Sequence, residues 1–483
     1  MSLHIGIDLG TSGIKAIILE DAARVLAVAA QPIAVSIPHV GWSEQNPDDW
    51  VTAAFACLDK LAADHPGKMA AVRGIGLSGQ MLSALVLGAD LKPLRPAMLW
   101  NDQRAIAECA ELLARVPDIG RRTNGTPDPG ITAPKLLWLA RHEPQVMRDA
   151  RMLLLTKDYV RLALTGDLAT DPTDAGGTEL LDCATGTWDA SLCAAAGWSP
   201  DHLPPVVASW AAAGALRPAL ARRWNMHAVP IATGAGDNMA STLGVGAARP
   251  GDAVLSVGTS GVACLVDDAF HPGPDYAILT SAHAAPDTYL SMGVVMSATA
   301  SLDWVARIGG TDAATLAAEA EAFAAQGRIA DAPLFLPCLT GIRTPANQPG
   351  ARGWITGLHP GVSRAMLGYA TMEGVAFQFA QCVAAQRAVG VRPARFMAVG
   401  GGTRSTLWVR LLASALGHSI ELPQGAETSG PAGAARLAAV ATGAGFDLLA
   451  QPLPLGAVVD PDVALAALLA ARRDSFEARA AAP

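Results

Sequence analysis

His4-Ile-Gly-Ile-Asp-Leu-Gly-Thr-Ser-Gly-Ile-Lys-Ala-Ile-Ile-Leu19 opens the chain, and Ala253-Val-Leu-Ser-Val-Gly-Thr-Ser-Gly-Val-Ala-Cys-Leu-Val266 repeats its plan 248 residues further on. Each stretch reads as strand, Gly-Thr-Ser-Gly turn, strand: apolar, β-rich arms on either side of a small-residue hairpin. One four-residue string can recur by chance in a Gly-rich protein. Recurrence with the same flanks at half the chain length points instead to two related α/β halves, each presenting one hairpin. Working outward, helices are expected over 48–63, 104–115, 134–141 and 366–389, and strands over 72–77, 85–87, 229–233 and 396–399. Strands and helices alternate without a low-complexity linker, as in α/β domains. A small-residue stretch at 244–251 ends in Arg-Pro-Gly just before the second hairpin, so the halves are expected to be 1–243 and 244–483. The Ala-rich tail beyond Asp460 reads as a terminal helix.

Composition narrows the class. The chain has 483 residues, 51% hydrophobic and only 16% charged, which excludes a disordered chain. No run approaches the roughly 20 uninterrupted apolar residues of a membrane span; the longest early uncharged run, 25–43, is broken by Pro32 and Pro38. A net charge of −8 with no Lys/Arg cluster argues against a nucleic-acid partner. The first eight residues put no cationic stretch ahead of an apolar one, and the seven cysteines are scattered without a Cys-x-x-Cys pair or zinc spacing. A cytoplasmic protein with reduced, structural thiols is expected. No interface stripe is legible, so a homodimer stays open.

A Gly-Thr-Ser-Gly hairpin has a chemical use, because small side chains let backbone N–H groups and hydroxyls close around an anion. One such hairpin alone is as readily a tight turn; two with matching flanks can grip the phosphate chain of one nucleotide from both sides. The copies differ two residues before the first Gly, where the first has Asp8 and the second Ser256. A carboxylate at a strand end beside a phosphate nest is where Mg²⁺ would be held, through water and one acidic side chain. A turn-capping aspartate is the plainer alternative. Residues 231–242, Ile-Ala-Thr-Gly-Ala-Gly-Asp-Asn-Met-Ala-Ser-Thr, run a strand into a Gly turn and deliver Asp237 and Asn238 to a helix start. That position favours an ionised carboxylate, as a base for phosphoryl transfer to a hydroxyl requires; an ordinary helix cap would look the same.

Two further stretches carry chemistry. Phe396-Met-Ala-Val-Gly-Gly-Gly-Thr-Arg-Ser-Thr-Leu-Trp408 places glycines, including Gly401 and Gly402, where a planar base could lie against backbone. Gln80-Met81 follows one strand and Trp100-Asn101-Asp102 another, giving an aromatic face with polar neighbours suited to a sugar, or else a buried Trp with a loop-capping pair. Thr428-Ser-Gly-Pro-Ala-Gly-Ala-Ala-Arg436 opens a helix with Pro431 expected in first position, its small residues suiting a hinge or plain helix packing. Gly74-Ile-Gly-Leu-Ser-Gly79 matches a dinucleotide motif, but a turn and strand follow where that motif needs a helix. The ten histidines show no ligand spacing.

Taken together, these motifs resemble the FGGY carbohydrate kinases of the actin-like ATPase superfamily and, within them, the xylulokinases. Residues 5–15 resemble the first phosphate motif, 254–262 the second, 399–405 the adenosine motif, and 233–246 with 429–441 the two connecting segments. Gly130-Ile-Thr-Ala-Pro-Lys-Leu-Leu-Trp-Leu-Ala-Arg-His142 resembles the first family signature, and Gly353-Trp-Ile-Thr-Gly-Leu358 begins the second, with Met366 where a polar residue is usual. Trp42-Ser-Glu-Gln-Asn-Pro47, Trp100-Asn-Asp102 and Lys157-Asp-Tyr159 are xylulokinase-like. The resemblance implies two actin-like, ribonuclease H-like ATPase domains with a cleft between them. It implies Asp237 as catalytic base and Asp8 as the metal-linked carboxylate. It implies ATP contacts from Gly10, Thr11, Ser12 and Lys15, from Gly258, Thr259 and Ser260, and from Gly401, Gly402, Arg404 and Ser405. Sugar contacts would come from Gln80, Met81, Leu82, Trp100, Asn101, Asp102, Asp237 and Asn238.

Three positions depart from the xylulokinase pattern: Leu82 stands for the usual His, and Ile342 and Ala346 replace an acidic residue and a His around Arg343-Thr-Pro345. An unpaired sugar hydroxyl against an apolar side chain costs on the order of 1–3 kcal/mol. The expected activity is ATP- and Mg²⁺-dependent phosphorylation of a primary hydroxyl of a ketopentose, D-xylulose first. The departures keep open another ketose or polyol, such as ribulose, a deoxyketose or erythritol. A sugar-independent filament or chaperone-type ATPase would lack the Trp100-Asn101-Asp102 set, and a non-catalytic sensor would not need Asp8 and Asp237.

Overall fold

In the computed structural model, which describes residues 2–480, both Gly-Thr-Ser-Gly stretches close as hairpins. The Gly10 N–H donates to the Gly13 carbonyl at 3.0 Å, and the Gly258 N–H to the Ser260 carbonyl at 3.1 Å. The first joins β1 (Leu3–Leu9) to β2 (Gly13–Glu20). Its sheet also holds β3 (Arg24–Pro32), β4 (Val72–Gly79), β5 (Ala212–Ala215), β6 (Pro230–Ala232) and β7 (Ala235–Gly236). The second joins β8 (Asp252–Val257) to β9 (Gly261–Asp267), in a sheet with β10 (Leu279–Ala282), β11 (Tyr289–Val295), β12 (Arg395–Val399), β13 (Ile420–Pro423) and β14 (Leu455–Val459).

The strand orders, read through the hairpins, are β3-β2-β1-β4-β6 and β11-β9-β8-β12-β13. In both, three antiparallel strands end on a central strand, β1 or β8, which is followed on its far side by two strands parallel to it. The half-length echo is therefore a repeat of topology as well as of sequence, and it gives the two actin-like α/β domains.

Alternation along the strands decides what covers each face of the first sheet. Ile5, Ile7, Leu9, Ile75 and Leu77 share a core with Trp50, Leu58 and Leu61 of α1 (Pro47–Asp64). On the opposite face Gly6 and Gly76 carry no side chain, and α2 (Ser429–Ala441), from the far end of the chain, lies on them. A Cβ on Gly6 would fall deep inside the Pro431 carbonyl, and one on Gly76 inside that of Ala434. Gly74 and Gly76 thus serve close helix–sheet contact, which explains a dinucleotide-like pattern without the helix that motif needs. Pro431 is the third residue of α2, not the first, still within the turn whose N–H groups have no intrahelical acceptor.

The second sheet packs on the 25-residue helix Arg364–Ala388, with Tyr369, Phe377 and Phe379 fully buried. Of the other sequence expectations, 85–87 is a strand as written, 104–115 begins at Ile106, 134–141 extends to Thr132–His142, and the tail helix spans Val463–Ala480. Among the described residues no helix is long and apolar enough to cross a membrane. All seven thiols are free, and all but Cys109 are buried.

Candidate active site

Three neighbouring strands set the centre. Asp8 of β1 lies opposite Ser78 of β4, and Ser78 lies opposite Ala235 of β7, two residues before Asp237. Asp237 is the first residue of α3 (Asp237–Gly244), and its Oδ1 accepts the Asn238 backbone N–H at 2.8 Å. Asp8 Oδ1 accepts the Ser78 hydroxyl at 2.7 Å. Burial, and then the negative charge of Asp8, push the Asp237 carboxyl up to about 7. Burial also raises Asp8, against the Ser78 hydrogen bond and the charge of Lys15. Lys15 does not close on Asp8; its ammonium reaches across to donate to the Glu427 carbonyl at 3.0 Å.

Two half-buried carboxylates side by side form a site short of positive charge. Among the described residues no group of three or more His, Cys, Asp or Glu could hold a metal ion. That donor set suits Mg²⁺, which is held by one or two carboxylates together with substrate phosphates and water.

The second hairpin faces a different wall. Its Gly258 and Thr259 carbonyls accept from the Thr299 and Ala298 N–H groups at 2.9 Å, tying it to the helix Thr299–Ile308. Beside it is a cavity of about 440 Å³ lined by Asn238, Ser256, Gly400, Gly401, Arg404 and Glu427, among others. A neighbouring cavity of about 460 Å³ is lined by Asp303, Ala314, Ala317, Glu321, Gly402 and Ser405, among others. Gly401 faces open space, with nothing within 4 Å of where a Cβ would stand, so a planar ring has room there. Asn238, grouped with the sugar contacts on sequence, also lies on this wall. Thr299, Asp303 and the 313–324 helix were invisible in the sequence, because they form ordinary Ala-rich helices with no motif.

On the other side Trp100 stands 48% exposed with Asn101 exposed beside it. Its indole N–H donates to Thr11 Oγ1 at 2.9 Å, and Thr11 Oγ1 donates to Gln80 Oε1 at 3.0 Å. The Gln80 amide donates to Gln45 Oε1 at 2.8 Å, which also accepts the Trp50 indole at 2.9 Å. Gln80 is buried, with its amide oxygen and nitrogen each hydrogen-bonded within the protein, so it braces the first hairpin against Trp100 instead of meeting a sugar. Asp102 needs the same correction. It is fully buried, and its oxygens accept the Ser43 N–H at 2.7 Å and the Nε and Nη2 donors of Arg104 at 2.9 and 2.7 Å, the guanidinium stacking on Trp42. It clamps the loop that carries Trp100 and Asn101.

Met81 touches the turn that carries Asp237: a Cβ on Gly236 would come within 2.6 Å of its sulfur. Leu82 holds a left-handed backbone, φ +68°, unusual for a branched apolar residue. Its carbonyl is held by Lys135 at 3.0 Å, and that ammonium also donates to the Leu99 and Gly130 carbonyls, both at 2.6 Å. Burial pushes Lys135 down to about 7. The sequence showed this lysine only as one letter of a signature. Ile342 and Ala346 bracket Arg343-Thr-Pro345, and Arg343 pairs with Asp128 of the first half at 3.3 Å.

Comparison with known proteins agrees with this geometry. The N-terminal domain of the FGGY family of carbohydrate kinases matches residues 3–244, and its C-terminal domain matches residues 253–442. The chain belongs to the FGGY family of carbohydrate kinases. It is 39% identical over 478 residues to the xylulose kinase of Escherichia coli, covering 98% of each chain. The crystal structure of a "xyloylose kinase" from Brucella ovis superposes with a TM-score of 0.94 at 39% identity, covering 99% of this chain and 98% of that one. A xylulose kinase structure from Rhodospirillum rubrum superposes at 0.90 with 30% identity, covering 98% and 97%. As a member of the family, the protein is an enzyme that transfers phosphate from ATP to a sugar.

Proposed function

We propose that the sugar is D-xylulose and the product D-xylulose 5-phosphate, with Asp237 as the base. The xylulose kinases above, similar over nearly their whole lengths, support the substrate. The observation that carries the mechanism is the pair of neighbouring carboxylates, Asp8 two residues before the first hairpin and Asp237 at the strand–helix turn beside it. Phosphoryl transfer asks the protein mainly for positioning and charge.

In this reading the backbone of Gly10–Ser12 and of Gly258–Ser260 holds the phosphate chain, with Lys15 on the first side. Gly401, Gly402, Arg404 and Ser405, together with Thr299 and Asp303, receive the nucleoside. Trp100 offers a face to the sugar, with Asn101, Met81 and Leu82 around it. Asp237, ionised, accepts the proton of the attacking hydroxyl late in transfer. Asp8 would hold Mg²⁺ through water; when bound, the ion supplies positive charge to the phosphate oxygens. The working bodies are 1–243 and 244–483, with α2 of the second docked on the sheet of the first, and their closure excludes water that would otherwise take the phosphate. Free thiols throughout suit a cytoplasmic enzyme.

ADP release across D-xylulose, D-ribulose, a deoxyketose and erythritol, with the product's phosphate position read by ³¹P NMR, tests the assignment. D-Xylulose should give the highest kcat/KM and a 5-phosphate. A higher kcat/KM for any other sugar overturns it.

A further inference from the structure

Beneath Asp237 lies a buried polar column. The N–H of Gly236, the residue before the base, donates to Thr173 Oγ1 at 2.9 Å. That hydroxyl donates in turn to Asp171 Oδ2 at 2.6 Å, so its direction is set at both ends. The same carboxylate oxygen accepts the Thr173 N–H at 3.0 Å and the Ser209 hydroxyl at 2.7 Å. Its other oxygen lies 2.9 Å from the Lys157 ammonium, which also pairs with Asp158 at 2.7 Å and Asp174 at 3.4 Å. Thr173, Asp171, Lys157, Asp158, Asp174 and Ser209 are all fully buried.

One ammonium touching three buried carboxylates, with the buried Arg161 guanidinium also near enough to feel Asp158 and Asp171, is a poor way to stabilise a fold, since desolvation offsets most of the attraction. Burial drives Asp174 well above the usual carboxylate range, while the surrounding acids keep Lys157 charged against the cost of its own burial. Such a cluster is better suited to holding one geometry. The atom it reaches is the N–H at the junction of β7 and α3, where the backbone turns and the direction of the Asp237 side chain is decided.

We infer that Thr173, anchored through Asp171 to Lys157, is a positioning residue for Asp237: it pins the Gly236 N–H and so aims the base at the sugar hydroxyl. The inference rests on Asp237 being the base. A displacement near 1 Å at such a group can cost about 10²-fold in rate.

The test compares Thr173→Val, which keeps shape but loses the hydroxyl, with Thr173→Ser, which keeps the hydroxyl, and with Ser209→Ala. The last removes a hydrogen bond to the same Asp171 oxygen without touching Gly236. Thr173→Val should lower kcat by about 10- to 100-fold with KM for sugar and ATP little changed. Thr173→Ser should restore kcat, and Ser209→Ala should keep it while losing as much Tm as Thr173→Val. Asp171→Asn, which keeps an acceptor but drops its charge, should also lower kcat at unchanged KM and serves if the valine variant does not fold. Normal kcat in a folded Thr173→Val, or in Asp171→Asn where the valine variant does not fold, or an equal loss of kcat in Ser209→Ala, overturns the inference. Asp237→Asn separates the two readings. If it stays active, the base assignment fails; if it is dead while Thr173→Val is normal, only the positioning role fails.

Discussion

The two hairpins share a backbone and differ in what they are fastened to. The first has Asp8 ahead of it, the Thr11 hydroxyl locked between Trp100 and Gln80, and Asp237 two strands away. The second has Ser256 in place of Asp8, exposed Thr259 and Ser260, and carbonyls tied to the helix that starts at Thr299, beside the cavity of about 460 Å³. In the proposed reading a duplicated phosphate clasp is thus divided, with one copy attached to the reacting groups and the other to the nucleotide. Changes on the first side should act on chemistry and sugar, and changes on the second on ATP affinity.

The sharpest break is Asp237→Asn, which should lower kcat by about 10²–10⁴-fold while leaving ATP binding by calorimetry intact. Next, Asp8→Asn should lower kcat by about 10²–10³-fold, whereas Ser256→Ala at the matching position should move only KM for ATP, by less than about tenfold. Equal effects at the two positions would erase the division. A pH profile carries the same contrast. Asp237 must be ionised to accept a proton, and its carboxyl sits at about 7, so kcat/KM should fall about tenfold per unit below pH 7. At higher pH that limb should be flat.

Smaller effects separate the two threonines. Thr11→Val leaves the Trp100 indole and Gln80 without their shared partner and should raise KM for the sugar by about 5- to 10-fold. Thr259→Val should raise KM for ATP alone. Smallest of all, Leu82→His puts a hydrogen-bonding side chain where the backbone is left-handed, a conformation His adopts more readily than Leu. It should raise kcat/KM for D-xylulose by a few-fold; no change would remove Leu82 from the sugar pocket.

The hairpins were legible because they are local: the Gly-Thr-Ser-Gly turn and its apolar arms lie within sixteen consecutive residues. Asp237 was legible for the same reason, as a strand–turn–helix signal in one stretch. Partners far apart in sequence were not. Nothing near Asp102 shows that the Ser43 N–H, 59 residues away, takes up its carboxylate, and nothing near Gln80 shows that Thr11 and Gln45 engage its amide. A polar side chain beside a strand end looks the same on paper whether it faces a ligand or another loop. Lys135 and Thr173 escaped for a related reason, since each acts on a backbone group that no residue letter records.

The seating of α2 also bears on how the protein is made. The first sheet's glycine-lined face is covered by residues 429–441, so a ribosome must deliver nine-tenths of the chain before that face can be closed. Until then β1 and β4 wait with backbone exposed where a helix belongs, open to the wrong partner. A fragment ending at residue 244 inherits the same exposed seam, and supplying the 429–441 segment in trans is the natural way to close it.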